Sequence, residues 1–165
     1  MANPHAPYHP IIYVRGYAMS EGERDETAAD PFCGFNLGST VYRAAIDKNG
    51  RILGIDDEFF HDNGAYMRTH AATVPDLAAA MLPGPYRIPA YRARAHIRLT
   101  NKTPCGTYRS PGRYESTFVR ERLIDAIAAK TGIDAIEIRR RNLIDKSAMP
   151  YSLGFSTLGT DIIYD

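Results

Sequence analysis

Asn49 and Gly50 separate two runs rich in β-branched and aromatic residues, STVYRAAID from Ser39 and RILGIDDEFFH from Arg51. Both central residues tolerate positive φ, which a type I′ turn requires. The pattern predicts a β-hairpin joining Thr40–Asp47 to Ile52–His61. This feature restricts the fold most. A hairpin with one apolar face is not stable by itself and needs further strands or helices to cover it.

The rest of the chain supplies them. Pro75 suits the first turn of a short helix with the body DLAAAML, ended by Pro83-Gly84-Pro85. In YRARAHIRLTN, Ala93, Ala95, Ile97 and Leu99 alternate with Arg92, Arg94, His96 and Arg98, the period of a half-exposed strand. No aromatic residues are interleaved there to stack bases, so the arginines read as a solvated face. A second helix starts near Gly112 or Arg113. Val119, Leu123, Ala126 and Ile127 form its apolar stripe, with Arg120, Glu121, Arg122 and Asp125 largely off it. Gly132 is placed as a left-handed C′ residue. Asp134 then opens a third helix as N-cap, with Glu137 in the capping-box position and Ile133 and Ile138 set as a hydrophobic staple. The tail from Ser147 has strand and turn character. The expected class is α+β: a hairpin and further strand packed with a short helix and a C-terminal helix pair. Residues 1–38 read as a loosely packed leader in which Ile11–Met19 is a candidate strand.

Charge and cysteine content narrow the function. The formal net charge is +1, which gives no global attraction to nucleic acid or an anionic membrane. The longest apolar stretches are broken by charges or prolines, so no membrane span is expected. Cys33 and Cys105 form no CxxC and read as reduced thiols of a cytoplasmic protein. His5, His9, His61, His70 and His96 show no metal-ligand spacing.

The chemistry concentrates in TNKTPCGTYRSPGR, from Thr100 to Arg113. Gly106 and Gly112 permit close backbone approach, Arg109 and Arg113 add charge, and the following helix presents unpaired N–H groups. Such a mouth suits a phosphate, an oxyanion or a metal-oxo group. No GK[ST] or strand-GxGxxG-helix order is present, so it is neither a Walker loop nor a dinucleotide fingerprint. On these residues alone, a tight loop whose arginines pair with nearby carboxylates stays equally open. Ser110 lies in no GxSxG, and a small buried thiol is the commoner reading of Cys105.

HDNGAYMRTH, LPGPYRIPAY, TNKTPCGTYRSPGR, FVRERLIDAIA and IEIRRRNLI occur here in series. In order and spacing they resemble the molybdopterin-binding large subunit of the molybdenum hydroxylases, the family of xanthine dehydrogenase, aldehyde oxidase and aerobic carbon monoxide dehydrogenase. The likeness runs from about Ser39 to Asp165 and is nearest to the carbon monoxide dehydrogenase-like branch.

The resemblance implies that the loop Gly106–Arg113 passes beside the molybdenum. Gly106, Thr107, Tyr108, Arg109 and Ser110 would then be cofactor-binding, and Pro111 would line the substrate pocket. Ser110 stands where carbon monoxide dehydrogenases carry the copper-bridging cysteine, and a hard serine oxygen does not suit Cu(I). Leu77 occupies the place of the purine-gripping arginine of xanthine enzymes. An aldehyde or an N-heterocycle is the expected substrate, hydroxylated with water as oxygen source. The implied cofactor is molybdenum-molybdopterin, in its cytosine dinucleotide form. The implied partners are the remainder of the large subunit, an Fe-S small subunit and an FAD medium subunit. No residue matches the family's general-base glutamate, so none is assigned as catalytic. The chain reads as an internal piece of a larger subunit, inactive alone and retaining no cofactor. The alternative is a non-catalytic interaction module with an anion-binding loop at a helix N-terminus.

Overall fold

The computed structural model describes residues 11–16, 37–68, 71–157 and 159–165. Six strands and three α-helices are present among them: β1 (Ile11–Gly16), β2 (Leu37–Ile46), β3 (Ile52–Asp62), α1 (Thr73–Met81), β4 (Ala90–Arg98), α2 (Arg113–Thr131), α3 (Ala135–Asn142), β5 (Tyr151–Thr157) and β6 (Thr160–Tyr164). A 3-10 turn, Lys146–Ala148, precedes β5. The α+β class and the order of elements follow the sequence expectation.

The main sheet has the order β1-β2-β3-β4. The first two pairings are antiparallel, and β3 pairs with β4 in parallel through α1. Period-2 patterning sets its two faces. Tyr42, Ala44, Ile46, Ile55, Asp57 and Phe59 are buried on the inner face. Tyr42, Ala44, Ile46 and Ile55 form one cluster with Leu123, Ile124 and Ile127 of α2 and Ile138 of α3, each of these helix residues 1% exposed or less. Burying one such side chain contributes about 1.5–3 kcal/mol. The outer face is an ion-pair ladder. Asp56 accepts from Arg92 at 2.8 and 2.9 Å and from Arg43 at 3.3 Å, and Glu58 accepts from Arg94 at 3.0 Å. The Arg92 hydrogen bond holds the Asp56 carboxyl below its usual range. Arg92 and Arg94 are thus part of a solvated, internally neutralised face.

The hairpin forms, but its turn is not type I′. Gly50 N–H donates to Asp47 O at 3.0 Å, and only Gly50, with φ 77°, is left-handed there. Asp47 Oδ1 accepts from the N–H groups of Asn49 and Arg51, both at 2.8 Å. That aspartate holds Asn49 at negative φ and leaves glycine alone to reverse the chain.

The helix boundaries agree with the capping signals. Gly132 has φ 70° and donates to Ala128 O. The Asp134 side chain accepts from Ile136 N and Glu137 N. Glu137 turns to Arg141 at 2.8 Å. Arg120 departs from expectation. It lies within the buried stripe Ser116-Arg120-Leu123-Ile127 and is 8% exposed. Its guanidinium is satisfied by the carbonyls of Met81 and Leu82, by Thr117 and by Glu121, so the charge is not stranded. No helix among the described residues is long and apolar enough to cross a membrane.

Candidate functional site

Parallel pairing brings the C-terminal ends of β3 and β4 together, and the loops that leave them run side by side. Asn63 N–H donates to Arg98 O, Thr100 N–H to Gly64 O, Ala65 N–H to Lys102 O and Cys105 N–H to Asn63 O, at 2.9–3.1 Å. Gly64 is required at this crossing. Its φ is 74°, and a Cβ there would fall 2.4 Å from Thr103 O and 2.6 Å from Pro104 Cα.

Asp62 is the hub between the loops. Its Oδ1 accepts from Gly64 N–H and the Thr100 hydroxyl, both at 2.8 Å, and Lys102 Nζ lies 3.4 Å from Oδ2. Burial pushes this carboxyl up. The Gly64 amide, the Thr100 hydroxyl and Lys102 outweigh that and hold it below its usual range. The Cys105 thiol donates to Asp62 O at 2.9 Å, facing back into the loop pair. Cys33 lies outside the described residues.

Beyond Cys105 the chain emerges. Gly106, Thr107, Tyr108, Arg109 and Ser110 are consecutive and exposed, with Tyr108 76% exposed. Ser110 has φ 56°, a left-handed conformation that a serine adopts only when its surroundings impose it. The constraint is visible next door. Gly112 is buried at φ 74°, and a Cβ on it would fall 2.4 Å from Ala78 N and 2.6 Å from Leu77 Cβ. The base of the loop is therefore pressed against α1, and Leu77 is 4% exposed beneath it. Pro111 is half-buried between the two environments.

Gly112 is also the N-cap of α2, with no side chain capping that end. Arg113 N–H turns back to Ser110 O at 3.2 Å. The five predicted cofactor-binding residues thus form one exposed crook at the positive end of a 19-residue helix. Arg68 was not singled out from the sequence. Its Nη1 lies 3.4 Å from where a Gly106 side chain would begin. Its only sequence signal is its place in HDNGAYMRTH.

His61 and His96 are the histidines among the described residues; His5, His9 and His70 lie outside them. His61 is buried and bonded to Asn63 Oδ1 at 3.1 Å, and burial pushes its ring toward the neutral form. His96 stacks on Phe60 at 4.5 Å on the outer face and bonds Glu58. No group of three or more metal-ligating His, Cys, Asp or Glu side chains occurs among the described residues. This geometry sets an exposed run that includes Arg109 at the N-terminal end of α2, with α1 packed behind its base.

Residues 38–143 match the model of the molybdopterin cofactor-binding domain family. The chain belongs to this family. The match takes in β2 through α3 and the whole crook, and leaves β1, β5 and β6 outside it. Within the family, the gamma subunit of the 6-hydroxypseudooxynicotine dehydrogenase complex of Paenarthrobacter nicotinovorans is 50% identical over 121 residues, covering 73% of this chain and 15% of that protein. The nicotine 6-hydroxylase large subunit of the same organism is 37% identical over 103 residues, covering 61% of this chain and 13% of that protein. Quinoline 2-oxidoreductase of Pseudomonas putida 86 superposes with a TM-score of 0.62 at 31% identity, covering 69% of this chain and 15% of that one. The chain spans 13–15% of the length of these relatives.

Proposed function

We propose that the chain is the wall of a molybdenum hydroxylase active site that faces the metal end of the molybdopterin cofactor. The enzyme it serves hydroxylates a nitrogen-heteroaromatic ring. The observation that carries this reading is the crook: five exposed residues, including Arg109, set on an uncapped helix end and braced by Gly112 against α1. The donor set fits an oxyanionic group approached from one side, as the wall of a shared pocket would meet it.

The backbone of Gly106–Ser110 and the Arg109 guanidinium hold the cofactor's anionic end. Pro111 lines the substrate pocket. Leu77, buried beneath Gly112, supplies no cation where a purine binder needs one, which argues against a purine substrate. Ser110 supplies a hard, neutral oxygen, which argues against a copper site and carbon monoxide as substrate. When bound, the molybdenum centre supplies two-electron oxidation with water as the oxygen source. The relatives named for nicotine and quinoline support the heteroaromatic class over an aldehyde. The cofactor is the cytosine dinucleotide form, and electrons leave to Fe-S and FAD subunits. The general base lies in another part of the large subunit, and the chain does not turn over alone. The intact enzyme is cytoplasmic.

The test is reconstitution. The chain is produced with the remaining large-subunit segments and partner subunits of 6-hydroxypseudooxynicotine dehydrogenase, and molybdenum content and oxidation of a pyridine substrate are measured. The complex is expected to hold molybdenum and to turn over. Arg109→Ala is expected to lower turnover by about tenfold to a hundredfold and to reduce metal content. The chain alone is expected to hold well under one molybdenum per molecule. Unchanged metal and turnover in Arg109→Ala, or full metal loading of the chain alone, overturns the reading.

A further inference from the structure

The inner face of the main sheet carries an acid that packing does not explain. Asp57 stands opposite Tyr42 in the β2–β3 register, is 1% exposed, and has no hydrogen-bond partner at Oδ1. Glu115 enters the same region from the first turn of α2. It is 7% exposed and has no partner at Oε2. Both line one cavity of about 10 Å³, room for the centre of a single water molecule. Phe59, Ala78, Leu82 and Val119 make the rest of its wall apolar, and Ser116 and Tyr42 complete it. No cation is among these lining residues. Each acid thus brings one partnerless oxygen to this hollow, where a bare carboxylate oxygen is poorly solvated, so an ionised pair there needs a bridge.

We propose that this cavity is a proton-and-water site, in which one water molecule bridges Asp57 Oδ1 and Glu115 Oε2 and the two carboxyls share a single proton through it. The occupant is water rather than a metal ion, because two carboxylates and a hydroxyl fall short of the ligand set that a hard cation needs. The proton comes from solvent and moves along the bridge, with no net reaction.

The surroundings favour Asp57 as its usual holder. Burial, and then the adjacent Asp56 on the other face of β3, push that carboxyl up to about 7. Glu115 lies where helix N–H groups favour negative charge, and the Tyr114 hydroxyl bonds to it. Tyr42 faces Asp57 from β2 and Tyr91 from β4, and burial pushes the Tyr91 hydroxyl above its usual range. The Tyr91 hydroxyl donates to Ala79 O at 2.6 Å. His61, further along β3, is kept neutral by burial. On the same helix as Glu115, the buried Arg120 is committed to Met81, Leu82, Thr117 and Glu121. The region around α1 adds only Ala78 and Leu82 to the wall.

The test uses the full 165-residue chain with carbon-labelled aspartate and a high-resolution crystal structure. Asp57→Asn assigns the Asp57 carboxyl resonance. The expected results are one water within hydrogen-bond distance of both oxygens, an Asp57 carboxyl that titrates near neutrality, and a midpoint lowered by about one unit or more in Glu115→Gln. Removing the neighbouring charge leaves Asp57 easier to ionise. An Asp57 carboxyl already ionised at pH 5, a midpoint indifferent to Glu115→Gln, or a cavity that is empty or holds a metal ion overturns the proposal. The parent titration and the water position decide the matter even where the variant does not fold.

Discussion

The guanidinium of Arg120, in the middle of α2, donates to the carbonyl oxygen of Leu82 at 3.3 Å and to that of Met81 at 3.2 Å. Helix α1 has no basic residue in its own last turn, so Arg120 supplies from another helix the cation that a C-terminus favours. Gly84 makes this possible, since a Cβ there would fall 2.4 Å from Arg120 Nη1. The Tyr86 ring lies 5.9 Å from the guanidinium carbon. Arg120→Met is expected to lower stability by about 2–4 kcal/mol, because it takes the guanidinium donor from the Met81 and Leu82 carbonyls, while Glu121 keeps Tyr86 and Arg139. Urea midpoints of parent and variant measure this. Arg120→Lys should recover part of the loss, and a neutral result for Arg120→Met would show that the carbonyls find other donors.

Two left-handed glycines at the ends of α2 should behave differently. Gly112 and Gly132 have φ of 74° and 70°, so alanine is strained at either. At Gly132 nothing lies within 4 Å of an added Cβ, whereas at Gly112 the Cβ meets Ala78 N at 2.4 Å. Gly132→Ala is expected to cost about 1 kcal/mol, the backbone penalty alone. Gly112→Ala is expected to cost about 3 kcal/mol or more, since helix α1 must also move. Thermal unfolding of the two variants gives the comparison. In the reconstituted enzyme, Gly112→Ala should reduce turnover more than its stability loss explains, because the crook moves with its base.

Local signals made much of this fold readable. The hairpin, the end of α2 at Gly132 and the Asp134 cap depend on neighbours a few residues away, so spacing reveals them. Arg120 was misjudged because a charge inside an apolar stripe is tolerated only when carbonyls from a helix 38 residues earlier stand ready to receive it. The turn at Asn49-Gly50 was misassigned because the side chain of Asp47, just outside the central pair, dictates its geometry. The crook from Gly106 was visible as a cluster of glycine and arginine before a helix. Its proximity to Arg68 was hidden, because only the parallel pairing of β3 with β4 brings those two loops together.

Asp57 should give the chain an unusual pH profile. Its folded value is raised from 3.8 to about 7. Below its ordinary value both folded and unfolded chains hold the proton, and Asp57 costs nothing. Between about pH 4 and 7 the folded chain keeps a proton that the unfolded chain has released. Stability therefore falls as pH rises, by about 1.4 kcal/mol per unit and on the order of 4 kcal/mol in all. Asp56 and Asp62 act in the opposite sense. Their folded values are lowered, so their contribution is present above the ordinary carboxylate value and is lost in acid. Denaturant midpoints should then peak near pH 4–5 and decline toward pH 8. Asp57→Asn should remove most of the decline and be more stable than the parent at pH 8. A parent profile that is flat from pH 5 to 8 would show that Asp57 is ionised at little cost.

Asn142, the last residue of α3, ties the helix pair to the hairpin. It is 3% exposed, and Oδ1 accepts from Ile52 N–H at 2.7 Å. Its Nδ2 donates to Gly50 O and Ile138 O, both at 2.8 Å. One side chain thus completes the hydrogen bonding of a turn 92 residues earlier, beside a glycine whose Cβ would strike Ile138. Asn142→Ala strands one buried donor and one acceptor on the backbone and is expected to cost about 2–4 kcal/mol. Asn142→Asp keeps the acceptor for Ile52 but sets a carboxylate against two carbonyls. Its deficit at pH 7 should be at least as large and should shrink as pH falls and the acid regains a proton to donate. Amide exchange supplies the decisive readout. Ile52 should lose protection in Asn142→Ala while the β3–β4 ladder, which Asn142 does not touch, retains it; equal loss in both regions would mean that the contact has no local role.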